Sequence, residues 1–486
     1  MDTTEAPEQA DSVPSVVEEF FGAPLRNLLR NERLELIIDR ATRAPGKSFP
    51  EIFALRKERE GFYRFVEGRG YGLAEILEPH HQRTCARAAD EDMVIAAHDT
   101  TEFELPGDAP REGLGLLRGK KQGFLSHVSL AISARTQRPL GVVAQRTWTR
   151  TGPVRKRRNG RRKTGADYAR DVDKESERWL EAVQEVDLRL ACATIHVMDR
   201  EGDSYPLLAP MVQDNIRFVT RLARDRVASA EVVAGARDRV SALLPLCEVL
   251  AEREVPLSRR KAESAPAARR FSMRQGRIAR LSIRSMPIVL ARPEYSDRSL
   301  PAYLPVNLVH VVEVEPPDGE DPVEWKLMTT EPIATAEQAL AVVDYYRARW
   351  IIEEYFKALK VGCAIEKRQL ESYHALCNAL AIFIPIAWKL LELRTLARIA
   401  PETPATEVLT AVQLQVLQAC SPREVPAAPS VREALLAVAA LGGHIRNNGE
   451  PGWQVLGREF ERLLTLEVGW TASVAAATAR RKGDQS

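Results

Sequence analysis

The feature that most narrows the fold is a pair of short apolar runs, each closed by an aspartate. Met93 to Ala97 leads through His98 to Asp99, and Ala193 to Met198 leads directly to Asp199. Short apolar runs bounded in this way read as buried strands. Phe124 to Ile132, Leu140 to Ala144 and Phe218-Val219 add three more. Helical spacing separates the later ones: Trp179, Leu180 and Val183 precede the fourth strand, and Tyr205, Leu207, Leu208 and Met211 follow it. Three strands, a helix, a strand, a helix and a strand is the order of a ribonuclease-H-like mixed sheet, in which the first and fourth strands are neighbours. The expected fold class is therefore α/β, a ribonuclease-H-like mixed-sheet core with a β-rich insertion, flanked by N-terminal and C-terminal helical domains.

At 486 residues the chain exceeds what one hydrophobic core holds. We divide it into a loose acidic tail (1–17), a basic helical module (18–88), the core (89–400) and a C-terminal helical domain (401–486). The insertion, about 226–325, carries strand-like runs at Ala279–Ile283, Pro287–Leu290 and Leu308–Val312. In the N-terminal module Arg26, Arg30, Arg33 and Arg40 interleave with leucines, and Ser48 is placed to cap one helix running on to Phe65. The apolar stretch Ala379 to Trp388 is too short to span a bilayer and reads as a buried core helix. The end from Arg480 is polar and is expected to fray. No signal or transit peptide is legible, so a cytoplasmic location with no membrane role is expected. The six cysteines show no metal spacing and are expected to be buried thiols in a reducing compartment.

Net charge is only +2, so charge as a whole does not announce a nucleic-acid partner. Its distribution says more: Arg155 to Lys163 packs seven basic residues into nine, and a polar basic stretch runs from Ser258 to Arg274.

An aspartate at a strand end is usually a turn residue. Two on neighbouring strands are different, because carboxylates held close are costly unless a cation neutralises them, and oxygen ligands suit magnesium or manganese. A helix starting near Thr335 and running beyond Lys360 is expected to supply a third. On it Tyr346, Arg349, Glu353, Lys357 and Lys360 recur every three or four residues and line one face. Taken alone, that face could be an ordinary i,i+4 ion-pair ladder, worth a few tenths of a kcal/mol per pair.

Asp99-Thr-Thr, Asp199-Arg-Glu-x-Asp203 and Tyr346-x2-Arg349-x3-Glu353-x6-Lys360 together resemble the three catalytic motifs of the IS-four superfamily of bacterial DDE transposases, of which the Tn-five transposase is the type. The resemblance runs from about Phe20 to about Trp470. It implies that Asp99, Asp199 and Glu353 are catalytic metal ligands for two Mg2+ (or Mn2+) ions. It further implies that Tyr346, Arg349, Lys357, Lys360 and Arg221 contact DNA and that Trp325 stacks on a flipped base. The implied activity is cut-and-paste transposition through hairpin formation and strand transfer. The implied partners are double-stranded DNA, as inverted-repeat ends and as target, and a second copy of the chain in a homodimer built on the C-terminal helices. The location implied is bacterial, cytoplasmic and nucleoid-associated. Phe356 departs from the family, which often has a polar residue there, and the N-terminal base-reading residues cannot be matched one by one. The competing readings are a hydrolytic nuclease of the same fold and an inactive, transposase-derived DNA-binding regulator.

Overall fold

The computed structural model describes residues 15–107, 109–117, 121–150, 175–231, 238–257, 275–444 and 450–483. Most of the acidic tail, the basic loop Arg155–Lys163 and Ser258–Arg274 lie outside the described residues. In chain order, helices α1 (Leu28–Arg43), α2 (Phe49–Ile52), α3 (Arg56–Val66) and α4 (Leu73–Ala89) precede strands β1 (Met93–Glu104), β2 (Gly115–Leu116), β3 (Gln122–Ser133) and β4 (Pro139–Trp148). Then come α5 (Glu175–Arg189), β5 (Ala193–Met198), α6 (Tyr205–Gln213) and β6 (Phe218–Arg221). Strands β7 (Ala228–Ser229), β8 (Glu248–Leu257), β9 (Arg277–Ala291), β10 (Tyr303–Glu313) and β11 (Glu324–Thr329) follow. The chain closes with α7 (Ala336–Ala348), α8 (Trp350–Lys357), α9 (Tyr373–Ile399), α10 (Ala411–Cys420), α11 (Val431–Ala440) and α12 (Trp453–Gly483).

Two compact units share these elements. The sheet unit takes the described parts of 92–99 and 155–350, and the helical unit those of 1–91, 100–154 and 351–486. Strand β1 passes from one to the other at Asp99.

In the sheet unit, β1 pairs in parallel with β5, from Met93↔Ala193 to His98↔Met198, and β5 pairs in parallel with β6. Beyond β6 the sheet turns antiparallel through β11, β10 and β9. Trp179 and Val183 of α5 and Leu207, Leu208 and Met211 of α6 form one core with Phe218, Leu290, Leu308 and Met328 from the strands. Val309 and Val311, which alternate with Leu308 along β10, are buried as well, so this strand is covered on both faces. Each such side chain contributes about 1.5–3 kcal/mol by leaving water. The β-rich insertion is thus a continuation of the mixed sheet, joined to it through Leu327↔Arg221 to Thr329↔Val219.

In the helical unit, β3 pairs antiparallel with β2 and β4 and neighbours the end of β1, where Leu105 N–H donates to the Gln122 carbonyl at 3.0 Å. Read through β1, strand order and direction fit the ribonuclease-H-like core inferred from sequence. Helix α9 is long and apolar enough to cross a membrane by length and composition, yet 94% of its most apolar window is buried inside the unit.

Several local expectations change. Strand β1 does not stop before Asp99 but runs on to Glu104, because Thr101 and Phe103 continue a buried strand beside β3. The runs on either side of Pro287 are one strand, β9, in which Ser285 and Ile288 keep their partners Val309 and Val306. Ser48 caps only the four-residue α2, and a new helix starts at Arg56. The core helix spans 27 residues, not ten, with Pro385 inside it. The last helix continues to Gly483. Of the cysteines, Cys247, Cys363 and Cys377 are buried, Cys85 and Cys192 are half-buried and Cys420 is exposed; all six are free thiols.

Candidate active site

Asp99 and Asp199 each follow a paired residue, His98 and Met198, in the parallel register of β1 and β5. Asp99, within β1, and Asp199, just past the end of β5, therefore stand side by side on neighbouring strands. At Asp199 the strand ends in a tight turn: its Oδ1 accepts from Glu201 N–H at 2.7 Å, and the Thr220 hydroxyl donates to its carbonyl at 3.1 Å. Gly202 is required in this turn, since a Cβ there would stand 2.5 Å from the Met198 Cβ.

Asp203, four residues on, has a different role. Its carboxylate accepts from the backbone N–H groups of Ala223 and Arg224 and pairs with Arg226, and its side chain is fully buried. It pins the turn to the segment after β6.

Arg349 stands 3.4 Å from Asp99 Oδ2, and its guanidinium lies 5.7 Å from the centre of the Tyr346 ring. Tyr346 in turn meets Trp325 of β11, with ring centroids 5.7 Å apart and planes tilted by 58°. Arg221, at the end of β6, donates to the Glu324 carbonyl at 2.9 Å and lies within electrostatic range of Tyr346. Burial holds the Arg221 guanidinium below its ordinary range, with Arg200 and Arg349 pushing the same way against Tyr346. The sheet unit thus gathers six of the candidates, Asp99, Asp199, Arg221, Trp325, Tyr346 and Arg349. Two carboxylates and a cluster of arginines in one place suit a ligand that is both anionic and metal-bound.

Glu353, Lys357 and Lys360 belong to the helical unit. The single helix expected from Thr335 is broken: α7 ends at Ala348, Arg349 is a turn, and α8 starts at Trp350. The even one-face ladder is therefore interrupted after Tyr346. Thr335 does cap α7, accepting from Gln338 N–H, and the reciprocal partner is Gln338. Lys357 lies 2.6 Å from Glu354, whose other oxygen accepts from the Trp453 indole N–H at 2.9 Å. Lys360 sits in a π-helical turn, Ala358–Gly362, where its ammonium donates to the Glu102 carbonyl at 2.6 Å and stands 3.3 Å from Glu366. Such turns are frequent where a helix must aim a side chain.

Asp99, Asp199 and Glu353 offer only carboxylate oxygens, the donor type that a hard divalent cation takes. Among the described residues no group of three or more His, Cys, Asp or Glu side chains is arranged to hold a metal. The fit therefore rests on donor type and on the two adjacent aspartates.

Sequence reasoning missed what stands behind this pair. His98 Nε2 lies 2.9 Å from His196 Nδ1, and His196 Nε2 lies 2.9 Å from Asp187 of α5, with both rings fully buried. The signal was available as two histidines on neighbouring strands, but only the register Ala96↔His196 brings them together.

The chain is similar, at 11% identity, to a piggyBac transposase solved by cryo-electron microscopy as a synaptic complex with hairpin DNA, over 91% of this chain and 72% of that one. The TM-score is 0.35. The family model described as "Transposase DDE domain" matches residues 90–384, which include Asp99, Asp199, Arg221, Arg349 and Glu353. With more than half of its length inside that match, the chain belongs to the transposase DDE domain family, whose members generally use divalent metal ions.

Proposed function

We propose that the chain is a cut-and-paste DNA transposase of the IS-four, Tn-five-like kind. The observation that carries this reading is the matched register of Asp99, within β1, and Asp199, just past the end of the adjacent parallel strand β5, with Arg349 against Asp99 and Trp325, Tyr346 and Arg221 in the same unit. Asp99, Asp199 and Glu353 would hold two Mg2+ (or Mn2+) ions, and when bound these activate an attacking oxygen and stabilise a leaving one in phosphodiester displacement. Arg349, Arg221 and Tyr346, with Lys357 and Lys360, fix phosphates of the transposon end and move no protons.

Water cuts one strand, breaking the P–O3′ bond. The freed 3′-hydroxyl then attacks a phosphorus of the opposite strand, expelling the flanking DNA's 3′-oxygen to give a hairpin; a second water breaks the new P–O3′ bond and regenerates the 3′-hydroxyl, which finally attacks target DNA and expels a target 3′-oxygen. Trp325 offsets the stacking lost when a base flips out of the tight hairpin. The N-terminal helices bind the inverted-repeat ends, and the helices after Pro401 carry a homodimer contact in the DNA complex. The protein then works in the bacterial cytoplasm at the nucleoid.

The test is magnesium-dependent cleavage of duplex DNA bearing the inverted repeats that flank the gene, wild type against Glu353→Ala. Hairpinned ends made only by the wild type support the reading. Hydrolysis without hairpin or joined product would make the chain a nuclease, and binding without cleavage would make it a regulator.

A further inference from the structure

The N-terminal helices carry two kinds of arginine. At the end where α1 stops and α3 starts, Arg40 is held by Glu58 at 2.9 Å, Arg43 by Asp39, and Arg56 by Glu60 at 2.7 Å. At the opposite end, where α1 starts and α3 stops, Arg30, Arg33 and Arg64 form no salt bridge among the described residues. These three line a pocket of about 340 Å³ together with Leu29, Phe65 and Tyr71. Arg30 donates to the Leu25 carbonyl at 3.2 Å and lies 5.1 Å from the centre of the Tyr71 ring, which fixes one wall. Arg64 donates to the Glu60 carbonyl at 3.3 Å. Arg33 lies across α3 at Gly61, where a Cβ would stand 2.7 Å from its guanidinium nitrogen. Glu58 is within electrostatic range of Arg33, but its carboxylate is hydrogen-bonded to Arg40. Leu29 is 72% exposed at the rim, beside Leu28 at 75%.

Three guanidinium groups converging on one pocket without carboxylate partners repel one another, a cost that an anionic ligand removes. Their forked donors suit tetrahedral phosphate oxygens. An aromatic wall and an exposed leucine beside them suit the sugar that a phosphodiester carries, which a bare anion lacks. We infer that this pocket is a phosphodiester site: Arg30, Arg33 and Arg64 hold a backbone phosphate of duplex DNA while Leu29 and Tyr71 rest against its sugar. The inference rests on the transposase reading for its choice of DNA over a free nucleotide. It assigns these residues to positioning, with no part in reading sequence.

The test is binding of full-length protein, in chelator, to a labelled duplex with the flanking repeats and to an unrelated duplex of equal length, across a salt series. Arg33→Ala and Arg64→Ala should each lower the slope of log K against log salt by about 0.9, and weaken binding about tenfold near 0.1 M salt, equally for both duplexes. Arg56→Ala, which removes the same charge from the same helix, should leave the slope unchanged. An unchanged slope in the Arg33/Arg64 double variant, or an equal fall in Arg56→Ala, overturns the site. So does saturable binding of inorganic phosphate lost in the double variant while duplex affinity stays intact. Should the double variant fail to fold, Gly61→Ala displaces only the Arg33 guanidinium and must reproduce the Arg33→Ala loss. Magnesium-dependent cleavage by the wild type separates the two claims: cleavage with an unchanged slope sinks the pocket alone, and a reduced slope without cleavage sinks the transposase reading alone.

Discussion

The paired positions Asp99 and Asp199 on β1 and after β5, and the antiparallel strands β9 and β10, are both rich in charge, and they use it differently. In the second region Arg277 bridges Glu313, at 2.9 Å, and Glu320, while the other Glu313 oxygen accepts from Val323 N–H at 3.0 Å. Asp203 is enclosed in the same manner by Arg226 and two backbone donors. At the first region Asp99 and Arg349 face each other across 3.4 Å, longer than a charge-assisted hydrogen bond of about 2.8 Å, and Asp199 is engaged with its own turn at 2.7 Å. Charges closed off by partners in the second region hold the fold; in the first, two carboxylates stand side by side on adjacent strands in the unit that also holds Arg349 and Arg221.

The largest effect that would break this contrast belongs to Asp199→Ala. Cleavage should fall by about a thousandfold or more, since several kcal/mol of transition-state stabilisation go with a metal ligand. Stability should drop by only about 1 kcal/mol for the lost cap, read by urea unfolding. Asp203→Ala should do the reverse. It leaves Arg226 without its buried partner and should cost about 3–5 kcal/mol of stability, so equal unfolding midpoints for the two variants would erase the distinction.

Acidification sharpens the same point in the helical unit, where Glu19, His80 and Arg87 form a buried cluster. Burial pushes His80 down to about 4, against the pull of Glu19. Glu19 is held at about 2, its burial outweighed by hydrogen bonds and attraction from His80 and Arg87. Both folded values lie below the ordinary ones, so the unfolded chain binds more protons and stability is lost as pH falls. The His80 contribution goes between about pH 6.5 and 4, and that of Glu19 below about 4.5. The unfolding free energy should decline by on the order of 2–3 kcal/mol from pH 7 to 4, and His80→Gln should flatten the upper part of that decline.

Trp325→Ala should reduce hairpin product by roughly tenfold to a hundredfold, as stacking on one base is worth about 1–3 kcal/mol, with first-strand nicking retained on a gel. The smallest effect is that of Lys357→Ala on stability. Its pair with Glu354 is half exposed and should be worth at most about 1 kcal/mol, so a larger change in melting would mean that Lys357 is a structural residue.

The strand and helix positions of several candidate residues were legible in the sequence because they are tied to local pattern. An apolar run closed by aspartate gives β5 and Asp199 to the residue, and Thr335 starts α7 as its capping position requires. The bounds of β1 and of the last motif's helix were not legible. Thr101 and Phe103 prolong β1 only because β3 lies alongside, and local propensity does not register a neighbour.

The sequence by itself determined which residues carry charge and which strands are apolar, and so the class of sheet and the chemistry open to Asp99, Asp199, Arg221 and Arg349. Only the tertiary structure decided that Asp203 is enclosed by Arg226 while Asp199 turns back on Glu201 and Thr220, that the buried rings of His98 and His196 meet, and that Arg33 and Arg64 lack a carboxylate such as the Glu58 that holds Arg40. The reason is physical: partners such as Arg226, Glu58 and Tyr346 come from elements far along the chain. A side chain's role depends on which of them packing delivers within about 3 Å, a quantity that no local pattern encodes.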